Sequence, residues 1–148
     1  MSKRILSAGL VVLAAMASVA LGQTPELILT TDSALLSTVT NNEAAVDSQL
    51  AARAIEIRGI AKKIVRTESG YVLQFAPDSM TDNFVRLQID CEFPADQRDA
   101  LGNISLPAAV TIRGAVKASL WTPRYDNHKY YKVVIRDSQL TASAPLLR

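Results

Sequence analysis

Val85-Arg86-Leu87-Gln88-Ile89-Asp90-Cys91-Glu92-Phe93 is the stretch on which the fold turns. Apolar side chains occupy every second position from Val85 to Phe93, and Arg86, Gln88, Asp90 and Glu92 fill the positions between. Successive strand residues point to opposite faces, so this pattern is a strand with one face in a core and the other in water. Pro94 closes it, because proline has no amide proton to give to a ladder.

The same period recurs on both sides. Upstream, Tyr71, Leu73 and Phe75 alternate with Val72 and Gln74, and Thr67-Glu68-Ser69-Gly70 reads as the turn to an earlier strand, where Ile55 and Ile57 oppose Glu56 and Arg58. Gly59 stands where that strand is expected to bulge or bend. Ala76 to Asp82 reads as a loop. Downstream, Ala95 to Leu101 has room for about two helical turns, with Gly102 in a C-cap role. Val110, Ile112, Gly114 and Val116 then alternate with Thr111, Arg113 and Lys117. A loop is expected from Trp121 to Lys129, and the last strand runs from Tyr130 to Asp137 with Tyr131, Val133 and Ile135 on one face.

Before the first of these strands a helix is expected from Asn42 to Ala54, with Thr40, Asn41 or Asn42 as N-cap and Ala45, Leu50 and Ala54 sharing a face. It is short and alanine-rich, so packing must hold it. The order helix, three strands, short helix, two strands is that of an OB-fold: a mainly β domain built on a five-stranded barrel, preceded by an α-helix, with a short helix between the third and fourth strands. Closure hides the edges of a five-stranded sheet, and Gly59 and Gly114 suit the corners of tightly coiled strands.

Residues 1–22 carry Lys3 and Arg4, an apolar run from Ile5 to Leu21, and small residues at Ala20 and Gly22 before Gln23, the layout of a signal peptide. Residues 23–40 are Thr/Ser-rich and are expected to be a poorly ordered lead-in, 41–141 the barrel domain with its helix, and 142–148 a frayed tail. The expected product is exported, periplasmic or secreted, without a membrane span once the signal is cleaved. The whole chain has 16 basic and 14 acidic residues. Cleavage removes Lys3 and Arg4 and no acid, so the remainder is balanced and lacks the basic surplus that draws proteins to phosphate backbones. With one Cys and one His in the chain, no site built mainly from Cys and His ligands can form.

Asn42 to Ala45, Ile55 to Ile64 with its Arg58-Gly59, Val85 to Phe93 ending in Asp90-Cys91-Glu92-Phe93, and Val110-Thr111-Ile112-Arg113-Gly114 together resemble the tRNA_anti-like family of exported bacterial OB-fold proteins. The resemblance covers about Asn41 to Leu140. It implies a barrel preceded by a helix, in envelope or secreted proteins, many of them lipoproteins, and it brings no catalytic residues to carry over. This chain departs from the family in lacking a lipoprotein cysteine after the apolar run, and in having Val116 and Ser138 where relatives often have cysteines.

No pairing of nucleophile and base, and no carboxylate spacing, points to catalysis, so a non-enzyme without cofactor or metal is expected. Cys91, between Ile89 and Phe93, reads as an inert core thiol. The acids Asp78, Asp82, Asp90, Glu92, Asp96 and Asp99 read as a solvated surface, since their spacing lacks the pattern of a calcium loop. Aromatics and cations concentrate in Trp121 to Tyr131, and the candidate ligand-binding residues are Trp121, Arg124, Tyr125, His128, Lys129 and Tyr130. Packing is the competing use of the same stretch, with Trp121 and Tyr131 closing the barrel end and Tyr125 and Tyr130 lying over it. The expected outward residues of the second and third strands, Val72, Gln74, Arg86, Gln88 and Asp90, include no aromatic to stack a base. The expected function is an exported binding or interaction module of the cell envelope whose partner is a glycan, peptide or protein. A structural accessory domain is the alternative, and oligonucleotide binding ranks below both.

Overall fold

The computed structural model describes residues 26–51, 53–77, 85–123 and 129–146. Six strands form one sheet: β1 (Ile28–Thr31), β2 (Ala54–Arg66), β3 (Gly70–Phe75), β4 (Val85–Pro94), β5 (Ala108–Pro123) and β6 (Lys129–Pro145). Two helices, α1 (Asp32–Asn41) and α2 (Glu43–Leu50), lie between β1 and β2, and a 3-10 turn at Ala95–Gln97 leads into the short α3 (Arg98–Gly102) between β4 and β5. The order β1-β2-β3-β4-β6-β5, with β2 also paired to β5, closes β2 to β6 into a five-stranded barrel. All its pairings are antiparallel except β4 with β6, which run parallel from Val85↔Lys129 to Cys91↔Ile135. This is the OB-fold arrangement that the element order anticipates.

Alternation in the sequence becomes alternation in space. Ile55, Ile57, Leu73, Phe75, Val85, Leu87, Ile89, Cys91, Phe93, Val110, Ile112, Val116, Tyr131, Val133 and Ile135 are all buried in a single core. Burying a side chain of the Ile or Phe kind contributes about 1.5–3 kcal/mol, so this interior outweighs any polar contact on the surface. Tyr71, grouped with Leu73 and Phe75 by its spacing, is only half-buried at the mouth of the β2–β3 hairpin.

The segment expected as a poorly ordered lead-in contains β1 and most of α1. Thr31 caps α1, its hydroxyl accepting from the Ala34 amide at 3.0 Å. Leu35 and Val39, four residues apart, share the buried face of the helix. Asn42 then joins the helices: its amide donates to the Thr38 carbonyl at 2.8 Å, and its Oδ1 accepts from the Ala45 amide at 3.1 Å. The second helix is shorter than expected and buries Val46 and Leu50 rather than Ala45 and Ala54. Ala54 already belongs to β2, whose pairing with β5 begins there.

Gly59 serves a different purpose from the expected bend. The register of β2 shifts between Ala61 and Lys63 instead, and at Gly59 a Cβ would collide with the Asp32 carboxyl. That carboxylate is buried and accepts from the Ile60 amide at 3.1 Å, where β2 has left β1 at Arg58 and not yet met β3 at Ala61. Asp32 therefore fills the gap in the ladder, and glycine makes room for it. Gly114 does sit at an irregularity, between Arg113 and Ala115, and a Cβ there would come within 2.7 Å of the Arg136 carbonyl.

Two further expectations change at the end of the chain. Residues 142–145 are not frayed but paired, Ala142 to Pro145 running against Thr111 to Ala108. Trp121 to Pro123 belong to β5 rather than to a loop, paired with Tyr131 to Lys129. In both places the neighbouring strand is longer than its hydrophobic alternation, and backbone pairing carries it on. Gly102 is the last residue of α3, with Asn103 at the C-cap.

Candidate functional site

The outer wall of β3, β4 and β6 is built in rows fixed by register. Gln74 lies beside Asp90 and Asp90 beside Val134; the next row sets Gln88 beside Lys132, and the one after sets Arg86 beside Tyr130. Because Tyr131 points into the core, alternation turns Tyr130 outward with Arg86. An aromatic therefore does stand on this wall, contributed by the last strand and not by β3 or β4.

Asp90, expected in solvent, is buried. Its Oδ1 accepts from Gln74 Nε2 at 3.2 Å and from Gln88 Nε2 at 2.8 Å, while its Oδ2 pairs with Lys132 Nζ at 2.7 Å. An outward-facing carboxylate is held here because three neighbours on three strands satisfy it, which offsets the loss of water. Beside this cluster Lys117 of β5 is paired with Glu92 of β4 at 3.3 Å, whereas the Arg113–Glu56 pair at 2.9 Å joins β5 to β2, away from this wall. The wall is polar, hydrogen-bonded and close to charge-balanced.

Of the residues singled out from sequence, Tyr130 is placed on this wall, half-buried. Trp121 and Lys129 are described through strand pairing, opposite Tyr131 and Pro123. Arg124, Tyr125 and His128 lie outside the described residues. Tyr131 closes one end of the barrel, its hydroxyl donating to Asp47 Oδ1 of α2. Gln74, Gln88, Asp90 and Lys132 escape sequence reasoning as a group because their association depends on cross-strand register. The signal is present in the polar positions of the alternating strands, but nothing in one strand says which residue of another will face it.

Cys91 is buried, and its pKa is pushed far above the ordinary thiol value, first by burial and then by the neighbouring Asp90 charge. It is held as a neutral thiol. Among the described residues, no group of three or more His, Cys, Asp and Glu side chains is placed to hold a metal ion. Of the acidic stretch, Asp78 and Asp82 lie outside the described residues, and Asp99 makes an exposed pair with Arg98 at 3.2 Å. An open groove of about 500 Å³ lies elsewhere on the barrel, where Thr31 to Ser33, Arg58 to Ile60, Ala109 to Thr111 and Ala142 to Ala144 meet. None of the sequence-predicted site residues that are described lines it.

No family model and no curated protein matches the chain. Among solved structures, the chain is similar to one described as a "putative nucleic acid-binding lipoprotein" from Klebsiella pneumoniae, at 17% identity and a TM-score of 0.50, over 85% of this chain and 97% of that one. A "putative aspartyl-tRNA synthetase" from Leishmania major aligns at 12% identity and a TM-score of 0.44, over 82% of this chain and 22% of that one. At such identities the Klebsiella likeness is one of fold. No helix among the described residues is long and apolar enough to cross a membrane.

Proposed function

We propose that this chain is a non-catalytic, exported binding or interaction module of the cell envelope, of the tRNA_anti-like kind, which holds a glycan, peptide or protein on the outer wall of β3, β4 and β6. Of the residues singled out from the sequence, Tyr130 supports this reading by its place on that wall; Trp121, Arg124, Tyr125, His128 and Lys129 are proposed as further contacts on the ground of their aromatic and cationic chemistry. One observation carries the reading: the buried, fully partnered Asp90 cluster, a rigid polar platform on the side of the barrel where OB-folds commonly seat ligands. Export is supported by the sequence of residues 1–22 and by the lipoprotein nature of the Klebsiella neighbour. The absence of catalysis is supported by the protonated, buried state of Cys91.

A heteronuclear NMR titration of the chain with solubilised cell-wall fragments tests this. Shifts gathered on Gln74, Gln88, Tyr130 and Lys132 and on the stretch 121–131 are the expected result. Unchanged spectra would leave a structural accessory domain as the better reading. Oligonucleotide binding is favoured only by the description of the Klebsiella protein and is opposed by the ion pairs on the wall.

A further inference from the structure

We propose that the open edge of β1 pairs with β1 of a second copy of this chain, antiparallel about a two-fold axis at Leu29, so that the two Leu29 side chains cover each other.

β1 stands at the end of the strand order and pairs on one side only, with β2. No strand lies beyond it among the described residues. An edge in that position offers backbone N–H and C=O groups to another strand unless a charge, a proline, a bulge or a covering segment blunts it. Leu27-Ile28-Leu29-Thr30-Thr31 has no charge and no proline. Its register from Ile28↔Ile55 to Thr31↔Arg58 is unbroken, and its β-branched residues suit an extended strand.

Ile55 and Ile57 point into the core, so alternation turns Glu56, and Leu29 beside it, to the outside. Leu29 is 71% exposed, far more than Leu106 or Leu146, the other exposed large apolar side chains among the described residues. A lone surface leucine is ordinary; this one crowns an edge that nothing blunts. In an antiparallel pair centred on Leu29, the two leucines share a face with their Cα atoms about 4.5–5.5 Å apart. On the other face, Ile28 of each copy meets Thr30 of the other.

The occupant is a second copy because the edge complements itself. Nothing inside the paired run bears charge. Asp32, the acid nearest Glu26 of the other copy, is turned away from the edge onto the amides of Ile60 and Ser33. Glu56 is already paired with Arg113 at 2.9 Å. Arg58 stands at least three strand spacings, about 14 Å, from Arg58 of the second copy, beyond the roughly 8–10 Å range left by salt screening. β1 has only 4 residues, so the contact is well under a standard interface and the dimer is weak and concentration-dependent. No residue of the outer wall takes part, and both walls stay open.

Analytical ultracentrifugation of the full chain from about 10 µM to 1 mM is expected to show a monomer–dimer equilibrium. Leu29→Lys and Leu29→Glu each set like charges opposite one another and should weaken the dimer at least about a hundredfold. An equimolar mixture of the two variants should restore it. Both variants should melt like the wild type, since Leu29 lies outside the core. Leu29→Cys should form a disulfide-linked dimer on mild oxidation, because opposed Cα atoms at that spacing are within disulfide reach and the one native thiol, Cys91, is buried. A monomer at every concentration, with no cross-linking of Leu29→Cys, would overturn the inference and leave the edge to a foreign strand. Association unchanged by Leu29→Lys, or open-ended polymers in place of dimers, would overturn it too by moving the contact to another segment.

Discussion

Gly59→Ala should unseat Asp32. The new methyl would overlap Cγ and Oδ2 of Asp32 and approach its Cβ to 2.8 Å, so the carboxylate must withdraw from the Ile60 amide that it accepts from at 3.1 Å. That leaves a half-buried N–H without a partner at the point where β2 changes neighbours, a loss of about 1–3 kcal/mol. Some of the Ser33 amide bond to Oδ1, at 2.7 Å, goes with it. The total is expected to be about 2–4 kcal/mol, and each kcal/mol lowers the melting temperature by roughly 3–6 °C in a domain of this size. Urea denaturation followed by circular dichroism measures it. The decisive comparison is a double-mutant cycle with Asp32→Gly, which removes every atom that the methyl strikes. In that background Gly59→Ala should be nearly neutral, giving a coupling of about 2–4 kcal/mol. Equal cost in both backgrounds would refute the idea that Gly59 exists to admit Asp32. Gly102→Ala, where a Cβ meets nothing within 4 Å, is the control and should be neutral or slightly stabilising.

Cys91 should resist iodoacetamide in the folded chain and react once it is unfolded in urea; modification of the native protein would contradict its burial. Since folding raises the Cys91 pKa, the folded state holds the thiol proton more tightly, so its stabilising contribution is complete below the unfolded thiol value of about 8.5 and is lost as pH rises above it, by up to about 1.4 kcal/mol per pH unit. Denaturation curves of wild type and Cys91→Ala should accordingly converge in slope below pH 8 and separate above pH 9. Tyr131→Phe removes the hydroxyl that reaches Asp47 and should lower stability by about 1–2 kcal/mol, with amide exchange in α2 rising most; unchanged exchange there would mean that this bond does not tie the helix to the barrel. Gly114→Ala should be more harmful than Gly102→Ala, because its methyl meets the Arg136 carbonyl at 2.7 Å. Equal melting temperatures for the two variants would argue against the close approach of β5 and β6.

Much of the barrel is written in period-two alternation, and Val85 to Phe93 is the clearest case: each of its five apolar side chains is buried. What could not be read depends on other strands. β1 has four residues, too few for a period to stand out, and its pairing to Ile55–Arg58 supplies the order that its own composition lacks. The Thr/Ser content around α1 looks like a linker until Thr31 is seen capping a helix whose Leu35 and Val39 face inward. Likewise Ala142 to Pro145 have no apolar pattern and are strand because Ala108 to Thr111 offer them backbone partners. The candidate surface divides in the same way. The aromatic and cationic character of Trp121 to Tyr131 is visible in the chain, whereas the meeting of Gln74, Gln88, Asp90 and Lys132 is a product of register. Asp90 in particular reads as an ordinary water-facing acid until three strands are brought together.

Barrel closure sets the rows of the outer wall as well as the core, so both the fold and the contact surface depend on it. Interstrand NOEs recorded on one uniformly labelled sample test it most directly. Contacts between the backbones of Ile57 and Ile112, across β2 and β5, and between those of Ile89 and Val133, across β4 and β6, should both be present. Ile89–Val133 contacts without Ile57–Ile112 contacts would mean an open sheet and would contradict a closed barrel.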